Sequence, residues 1–363
     1  MEFNIAVLGG DGIGPEVTAE SVKVLNTLGS AFGHRFSLEY GDVGGISIDK
    51  HGTPLKDEVR DLAGAADAVL FGAVGGPKWD DPAAPTRPED GLLQLRAQLG
   101  VFANIRPVKV YPKLVDSSVL KPQVLEGVDM VVVRELTGGL YYGEPKERKQ
   151  TPQGWTSVDT MFYTEAEIER VLRVGFALAQ GRRKKLTSVD KANVLECSRL
   201  WRQIATRLAQ EYPDVELEHV LVDACAMQLV QRPSSFDVIV AENTFGDILT
   251  DEAAVLAASM GLLPSASLSD VPMAGRRTRG FYEPIHGTAP DIAGKGIANP
   301  VGSILSVALM LRYSLGLTEE AASIERAVEV ALDQGYRTPD IATEGAQKVS
   351  TTEMGQRIID ALS

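Results

Sequence analysis

Residues Phe236 to Ala254 open on a short β-branched run, Val238-Ile239-Val240, that reads as a buried strand. A polar turn, Glu242-Asn243-Thr244, leads into a segment of helical period carrying Asp247 and Asp251. Four residues apart, these two carboxylates share one helix face, one turn from each other. Like charges at that spacing repel. A divalent cation held by both would reverse the sign, because Mg²⁺ and Mn²⁺ prefer oxygen ligands. An acidic first turn that complements the helix dipole has the same pattern, so the pair alone does not decide between the two.

The same alternation runs through the chain. Asn4–Leu8 forms an apolar run into Gly9-Gly10-Asp11-Gly12-Ile13-Gly14-Pro15, which reads as strand, glycine turn and a helix opened by proline. A dinucleotide fingerprint would need a third glycine where Pro15 stands. Asp67–Ala73 reads as another strand, Thr164–Ala179 as a helix opened by a capping box, and Leu195–Tyr212 as a helix. Glu218–Val222 reads as a strand ending at Asp223, and Ala253–Gly261 as a continuation of the helix of the opening stretch. With 363 residues, two lobes are expected.

A net charge of −13 excludes an electrostatic nucleic-acid binder but not small anions, which a local arginine cluster can hold. Cys197 and Cys225 lie far apart with no CxxC pattern, and the four histidines show no metal-ligand spacing. Any metal site must therefore be built from oxygen. The longest apolar run, Val301–Leu311, is too short to span a membrane. With no basic start of a signal segment at Met1-Glu2-Phe3-Asn4, the expected location is cytoplasmic.

Glu89–Arg96 has helical period, and the runs Phe102–Arg106 and Asp129–Arg134 each read as strands ending on arginine. Arg96, Arg106 and Arg134 together suit carboxylate or phosphate, since the planar guanidinium pairs bidentately with either. Tyr141 and Tyr142 sit among glycines before a polar stretch that reads as an extended arm at about 144–158. Arg276–Arg279 is a basic loop. Phe281–Pro300 reads as a long Gly- and Pro-rich loop carrying Glu283, His286, Asp291 and Asn299, and loops of that length are usually functional.

In this order the motifs resemble the β-decarboxylating dehydrogenases, the isocitrate and isopropylmalate dehydrogenase family, nearly end to end. The resemblance rests on Gly9–Glu16, Arg134-Glu-Leu-Thr-Gly-Gly-Leu-Tyr141, Asp190-Lys191-Ala-Asn193, Phe245–Asp251 and His286–Gly294. It implies an α/β, two-lobed fold with a central cleft and no Rossmann fold. One lobe would take residues 1–101 and 258–363, the other 102–257 with metal, substrate and dimer contacts. It implies oxidation of a 2-hydroxy acid by NAD followed by loss of the β-carboxylate, in the branch that acts on 3-isopropylmalate for leucine biosynthesis.

By the same resemblance, Arg96, Arg106 and Arg134 clamp the substrate carboxylates. Asp247 and Asp251, with Asp223 from a second copy of the chain, hold Mg²⁺ or Mn²⁺, and Asp223 also borders the substrate. Lys191, also from the second copy, is the base, and Tyr141 the acid that protonates the enolate carbon. Glu283, His286, Gly287, Thr288, Ala289, Pro290, Asp291, Ile292, Asn299 and Asp340 would surround the cofactor. A carboxylate at Asp291 accepts hydrogen bonds from ribose hydroxyls and repels a 2′-phosphate, which favours NAD over NADP. Leu92 and Leu93 would offer an apolar wall to an isopropyl group, although relatives acting on tartrate or malate share most of these motifs. The expected catalytic unit is a homodimer. One departure stands out: Ala241-Glu242-Asn243-Thr244 is more polar than the Gly-Asn-aliphatic version the family leads one to expect.

Overall fold

The computed structural model describes residues 1–81, 84–273 and 277–362, so Arg276 of the basic loop lies outside them. Strands β1 (Glu2–Gly10), β2 (Arg35–Tyr40), β3 (Ala68–Ala73), β4 (Ala103–Lys109) and β5 (Asp129–Glu135) come first. A small hairpin, β6 (Glu147–Thr151) and β7 (Gly154–Val158), precedes β8 (Lys185–Asp190), β9 (Glu216–Leu221), β10 (Val238–Ala241), β11 (Pro264–Leu268) and β12 (Gly280–Pro284). The helices are α1 (Gly14–Phe32), α2 (Gly45–His51), α3 (Asp57–Ala65), α4 (Pro88–Leu99), α5 (Pro122–Leu125) and α6 (Glu165–Gln180). Then follow α7 (Glu196–Leu208), α8 (Val222–Gln231), α9 (Asn243–Ala254), α10 (Val301–Tyr313), α11 (Thr318–Asp333) and α12 (Thr351–Asp360).

Ten strands join one sheet in the order β2-β1-β3-β12-β11-β4-β5-β10-β8-β9. β2, β1, β3 and β12 are mutually parallel, as are β5, β10, β8 and β9. Between the two blocks, β11 and β4 pair antiparallel with each other and with their outer neighbours. The expected lobe boundaries fall just before β4 and before β11, so one hydrogen-bonded sheet runs through both halves. Parallel strands buried on both faces need continuous apolar runs, and β3 and β10 have them, with every residue buried. α10 is buried from Val301 to Leu311, a central helix without a polar face. Among the described residues no helix is long and apolar enough to cross a membrane.

Four local readings change. The strand ending expected at Arg106 continues through Lys109, which leaves Arg106 mid-strand opposite Val132. Val222 and Asp223 open α8 and do not end β9. The helix expected to run on to Gly261 stops at Ala254, and Ala258 takes a left-handed φ of 67° after a short 3₁₀ turn. Phe281–Pro284 is no loop. It forms β12, with Phe281 and Tyr282 fully buried, because two aromatic side chains suited to a strand outweigh the Gly and Pro that follow. The stretch expected as an arm is the β6–β7 hairpin, exposed at every strand residue except Thr151.

Candidate active site

β5, β10, β8 and β9 run side by side in one direction, so their carboxyl ends share an edge, where ligands of open α/β sheets commonly bind. Arg134 is the penultimate residue of β5, and α9 follows β10. Lys191 directly follows β8, and Asp223 is the second residue of α8 after β9. One topological edge thus gathers residues as far apart in sequence as Arg134 and Asp247, 113 positions.

α9 starts where it does because Glu242 caps it, its carboxyl accepting from Phe245 N at 2.7 Å and Thr244 N at 3.0 Å. Asp247 then points at two partners. Arg134 Nη1 donates to Asp247 Oδ1, and the Tyr141 hydroxyl donates to Oδ2 at 2.9 Å. Arg134 Nε donates to Asn243 Oδ1 at 3.0 Å, and its guanidinium lies 5.8 Å from the Tyr141 ring centroid. Arg106 donates to Asn104 Oδ1 at 2.8 Å, Thr250 Oγ1 at 2.9 Å and Asp251 Oδ1 at 3.4 Å. Burial pulls both guanidiniums below their ordinary range, with mutual repulsion adding to the effect at Arg106. Burial first, and then the bond to Asp247, push the Tyr141 phenol up, so it holds its proton.

Arg96, on α4, pairs at 2.6 Å with Glu283 of β12 instead. On the same helix Leu92 packs partly against core, while Leu93 is 45% exposed and is therefore not core. Each of the three arginines thus meets one carboxylate: Glu283, Asp251 or Asp247.

Lys191 and Asp223 form a separate pair at 2.6 Å, and the lysine bond holds the Asp223 carboxyl below its usual range. Asp247 and Asp251 lie on α9, but among the described residues no three His, Cys, Asp or Glu side chains come together to hold a metal. Within one chain, Asp223 does not complete the set. The donors on α9 are carboxylate oxygens only, which fits a hard divalent cation.

The segment after β12 meets the first glycine turn. Ile13 N donates to Thr288 O at 2.9 Å, and a Cβ on Gly12, whose φ is 59°, would lie 2.1 Å from that oxygen. This close approach, not a dinucleotide fingerprint, is what Gly12 serves. Gly294 N donates to Glu16, and Ile292 packs with Ile13 and Val17. Gly287, Pro290 and Asp291 are exposed, and Ala289 takes a left-handed φ of 39°. His286 Nδ1 donates to Gly287 O at 2.9 Å, which leaves Nε2 as a buried acceptor with no partner, and burial lowers the ring's pKa. Asp340 accepts from Asn299 at 3.0 Å, Thr338 at 2.6 Å and Ser259 at 2.5 Å. The helix break at Ala258 is what delivers Ser259 to it. A buried imidazole acceptor and an exposed carboxylate beside a glycine turn suit a polyhydroxylated nucleotide.

Two supports were not found by sequence reasoning. Asp11, buried in the glycine turn, accepts from Gly45 N, Ile46 N and Gly75 N at 2.7–3.0 Å and so ties α2 and the 75–76 turn to β1. Its place between two glycines was the available signal. Tyr163, beneath Gly138 and Gly139, meets both Glu135 and Glu242, and nothing in its local sequence points to that role.

Residues 4–358 match the isocitrate/isopropylmalate dehydrogenase family. A 3-isopropylmalate dehydrogenase of Dehalococcoides mccartyi is 57% identical over 99% of this chain and 98% of its own length. One from Anaeromyxobacter dehalogenans is 58% identical over 100% of both. Among solved structures, isocitrate dehydrogenase of Methylococcus capsulatus superposes with a TM-score of 0.82 at 34% identity over 99% of both chains. A β-decarboxylating dehydrogenase of Thermococcus kodakarensis gives 0.80 at 35% identity, covering 99% of this chain and 96% of that one. The sheet order and these matches agree, and this chain is an oxidoreductase belonging to the isocitrate/isopropylmalate dehydrogenase family.

Proposed function

We propose that the enzyme oxidises (2R,3S)-3-isopropylmalate with NAD and a divalent cation, giving 4-methyl-2-oxopentanoate and CO₂ in leucine biosynthesis. The observation that carries this reading is the convergence of Arg106, Arg134, Tyr141, Asp247 and Asp251 around the start of α9, at the carboxyl edge of parallel strands. The guanidiniums pair there with the very carboxylates that would bind the cation. Exchange of partners keeps the site neutral: a dianionic substrate brings two negative charges, a dication two positive ones. The substrate's carboxylates go to the arginines as the aspartates turn to the cation.

Bound by Asp247, Asp251 and Asp223 of a second copy of the chain, Mg²⁺ or Mn²⁺ supplies a lowered hydroxyl pKa and stabilisation of the enolate charge. Lys191 of the second copy takes the hydroxyl proton, and NAD, where bound, would supply the acceptor for the hydride from the same carbon. The β-carboxylate departs as CO₂, its bonding pair becoming the enolate, and Tyr141 returns a proton to carbon. A raised phenol pKa suits that late donation. Glu283 to Asn299 and Asp340 would hold the nucleotide, with Asp291 as an acceptor for its ribose hydroxyls. Domain closure about the two chain crossings near residues 101 and 258 excludes water from the cleft.

The substrate assignment follows the exposed Leu93 beside Arg96 and the two closely similar relatives, both 3-isopropylmalate dehydrogenases. Reduction of NAD should be fastest with 3-isopropylmalate in a panel with isocitrate, malate and tartrate, should favour NAD over NADP, and should cease on chelation until Mg²⁺ or Mn²⁺ is restored. Preference for isocitrate, or full turnover in chelated enzyme, would overturn it.

A further inference from the structure

The polar residue that departs from the family's expected pattern, Glu242, lies behind the site in a closed chain of acids. Glu135 and Glu242 are 0% and 3% exposed, and the single hydroxyl of Tyr163 lies between them. That oxygen is 3.2 Å from Glu135 Oε2 and 3.3 Å from Glu242 Oε2, and it accepts from Asn243 N at 2.9 Å. A phenol has one proton to give. If Tyr163 donates to one carboxylate, the other can bond to it only by donating a proton of its own.

The donor inventory says which one. Glu135 already accepts from Thr137 N at 2.9 Å, Thr137 Oγ1 at 2.7 Å and Gly138 N at 2.8 Å, with Arg170 at 3.7 Å. Glu242 accepts from two backbone amides, and among the described residues it has no ion-pair partner. We propose that Glu242 is a positioning residue that carries a proton in the folded enzyme and donates it to Tyr163, closing a Glu242–Tyr163–Glu135 chain that fixes Arg134 and the Tyr141 loop.

The route is short. Glu242 and Tyr163 hold Asn243 by its cap and its N–H, and Asn243 Oδ1 receives Arg134. Asn243 Nδ2 donates to Gly138 O at 3.1 Å, at the start of the loop bearing Tyr141, while Glu135 holds the same loop from its other side. Ionising Glu242 would set a second carboxylate acceptor, with no proton to share, against the one phenol that donates to Glu135. Other titratable groups around it are Cys197 of α7 and Asp190 of β8, the latter paired with Arg202 at 2.8 Å, with Arg134 of β5 beyond Asn243. Burial raises the Glu242 carboxyl's pKa, in keeping with the geometry.

An acid whose folded pKa is raised contributes fully below its unfolded value, about 4.3, and loses that contribution as pH rises through the folded value. Glu242→Gln keeps a neutral donor to Tyr163 and the cap's acceptor for Phe245 N, losing the acceptor for Thr244 N alone; Glu242→Ala removes all three. Infrared spectra of the metal-free protein near neutral pH should show the carbonyl stretch of a protonated carboxyl that is absent in Glu242→Gln. The role in turnover rests on the oxidative decarboxylation proposed above; the protonation does not, so the spectrum and the kinetics fail separately. In kinetics, Glu242→Ala should raise KM for 3-isopropylmalate about tenfold, the loss of one bond to a charged group, with a smaller fall in kcat. Glu242→Gln should restore KM to within about threefold, and where KM of the wild type should rise as pH passes through the Glu242 pKa, that of Glu242→Gln should stay flat. No protonated carboxyl in the spectrum, or Glu242→Gln as impaired as Glu242→Ala, would overturn the proposal.

Discussion

Arg134 and Asp247 form a pair that is largely sheltered, tied to Asn243 and Tyr141 and set on a capped helix. Lys191 and Asp223, at the ends of the two strands beyond, pair at 2.6 Å nearer the surface, where the Asp223 side chain is 62% exposed. The first pair is preorganised by its own chain. Among the described residues the second makes no further side-chain hydrogen bond, and ion pairs with an exposed partner contribute little to folding. The contrast explains why Asp223 is absent from the α9 carboxylates within one chain: its surroundings are supplied by something else, which we take to be a second copy.

That contrast can be broken at either pair. Arg134→Lys keeps the charge but loses the fork that bonds Asn243 and Asp247 at once. It should lower both the melting temperature and kcat/KM for 3-isopropylmalate, the latter about 10–100-fold, as expected for a lost bond to a charged group. An unchanged melting temperature would show that the sheltered pair is not structural. Asp223→Asn should leave the melting temperature where it is and still cut kcat/KM by at least the roughly 10–100-fold typical of losing a residue near a bound metal. Lost stability with normal turnover would reverse the roles assigned to the two pairs.

The legible parts of the fold were those whose cause is local. The capping box at Thr164 and Glu167, the proline opening α1 and the buried run of α10 all formed as their sequences imply. The spacing of Asp247 and Asp251 placed them on one helix, and the arginines were picked out by residue type before their partners were known. What escaped depended on distant neighbours. β12 carries a local strand signal in Phe281 and Tyr282, but its Gly-Pro surroundings hid it, and its pairing with β3 and β11 decides the outcome. The break at Ala258 pays off only through Ser259 on Asp340, 81 residues away. Glu242 was visible as a departure from pattern, yet its partner Glu135 lies on another strand and Tyr163 before another helix, so its role needed the assembled sheet.

The central claim is that one active site draws on two chains. Lys191→Ala and Asp247→Asn, each nearly inactive alone, should be mixed in equal amounts, allowed to exchange subunits, and assayed for NADH production. If each mixed dimer has one intact site of its two and half the dimers are mixed, activity should recover to about one quarter of wild type. Verified heterodimers that remain as inactive as their parents would contradict the account.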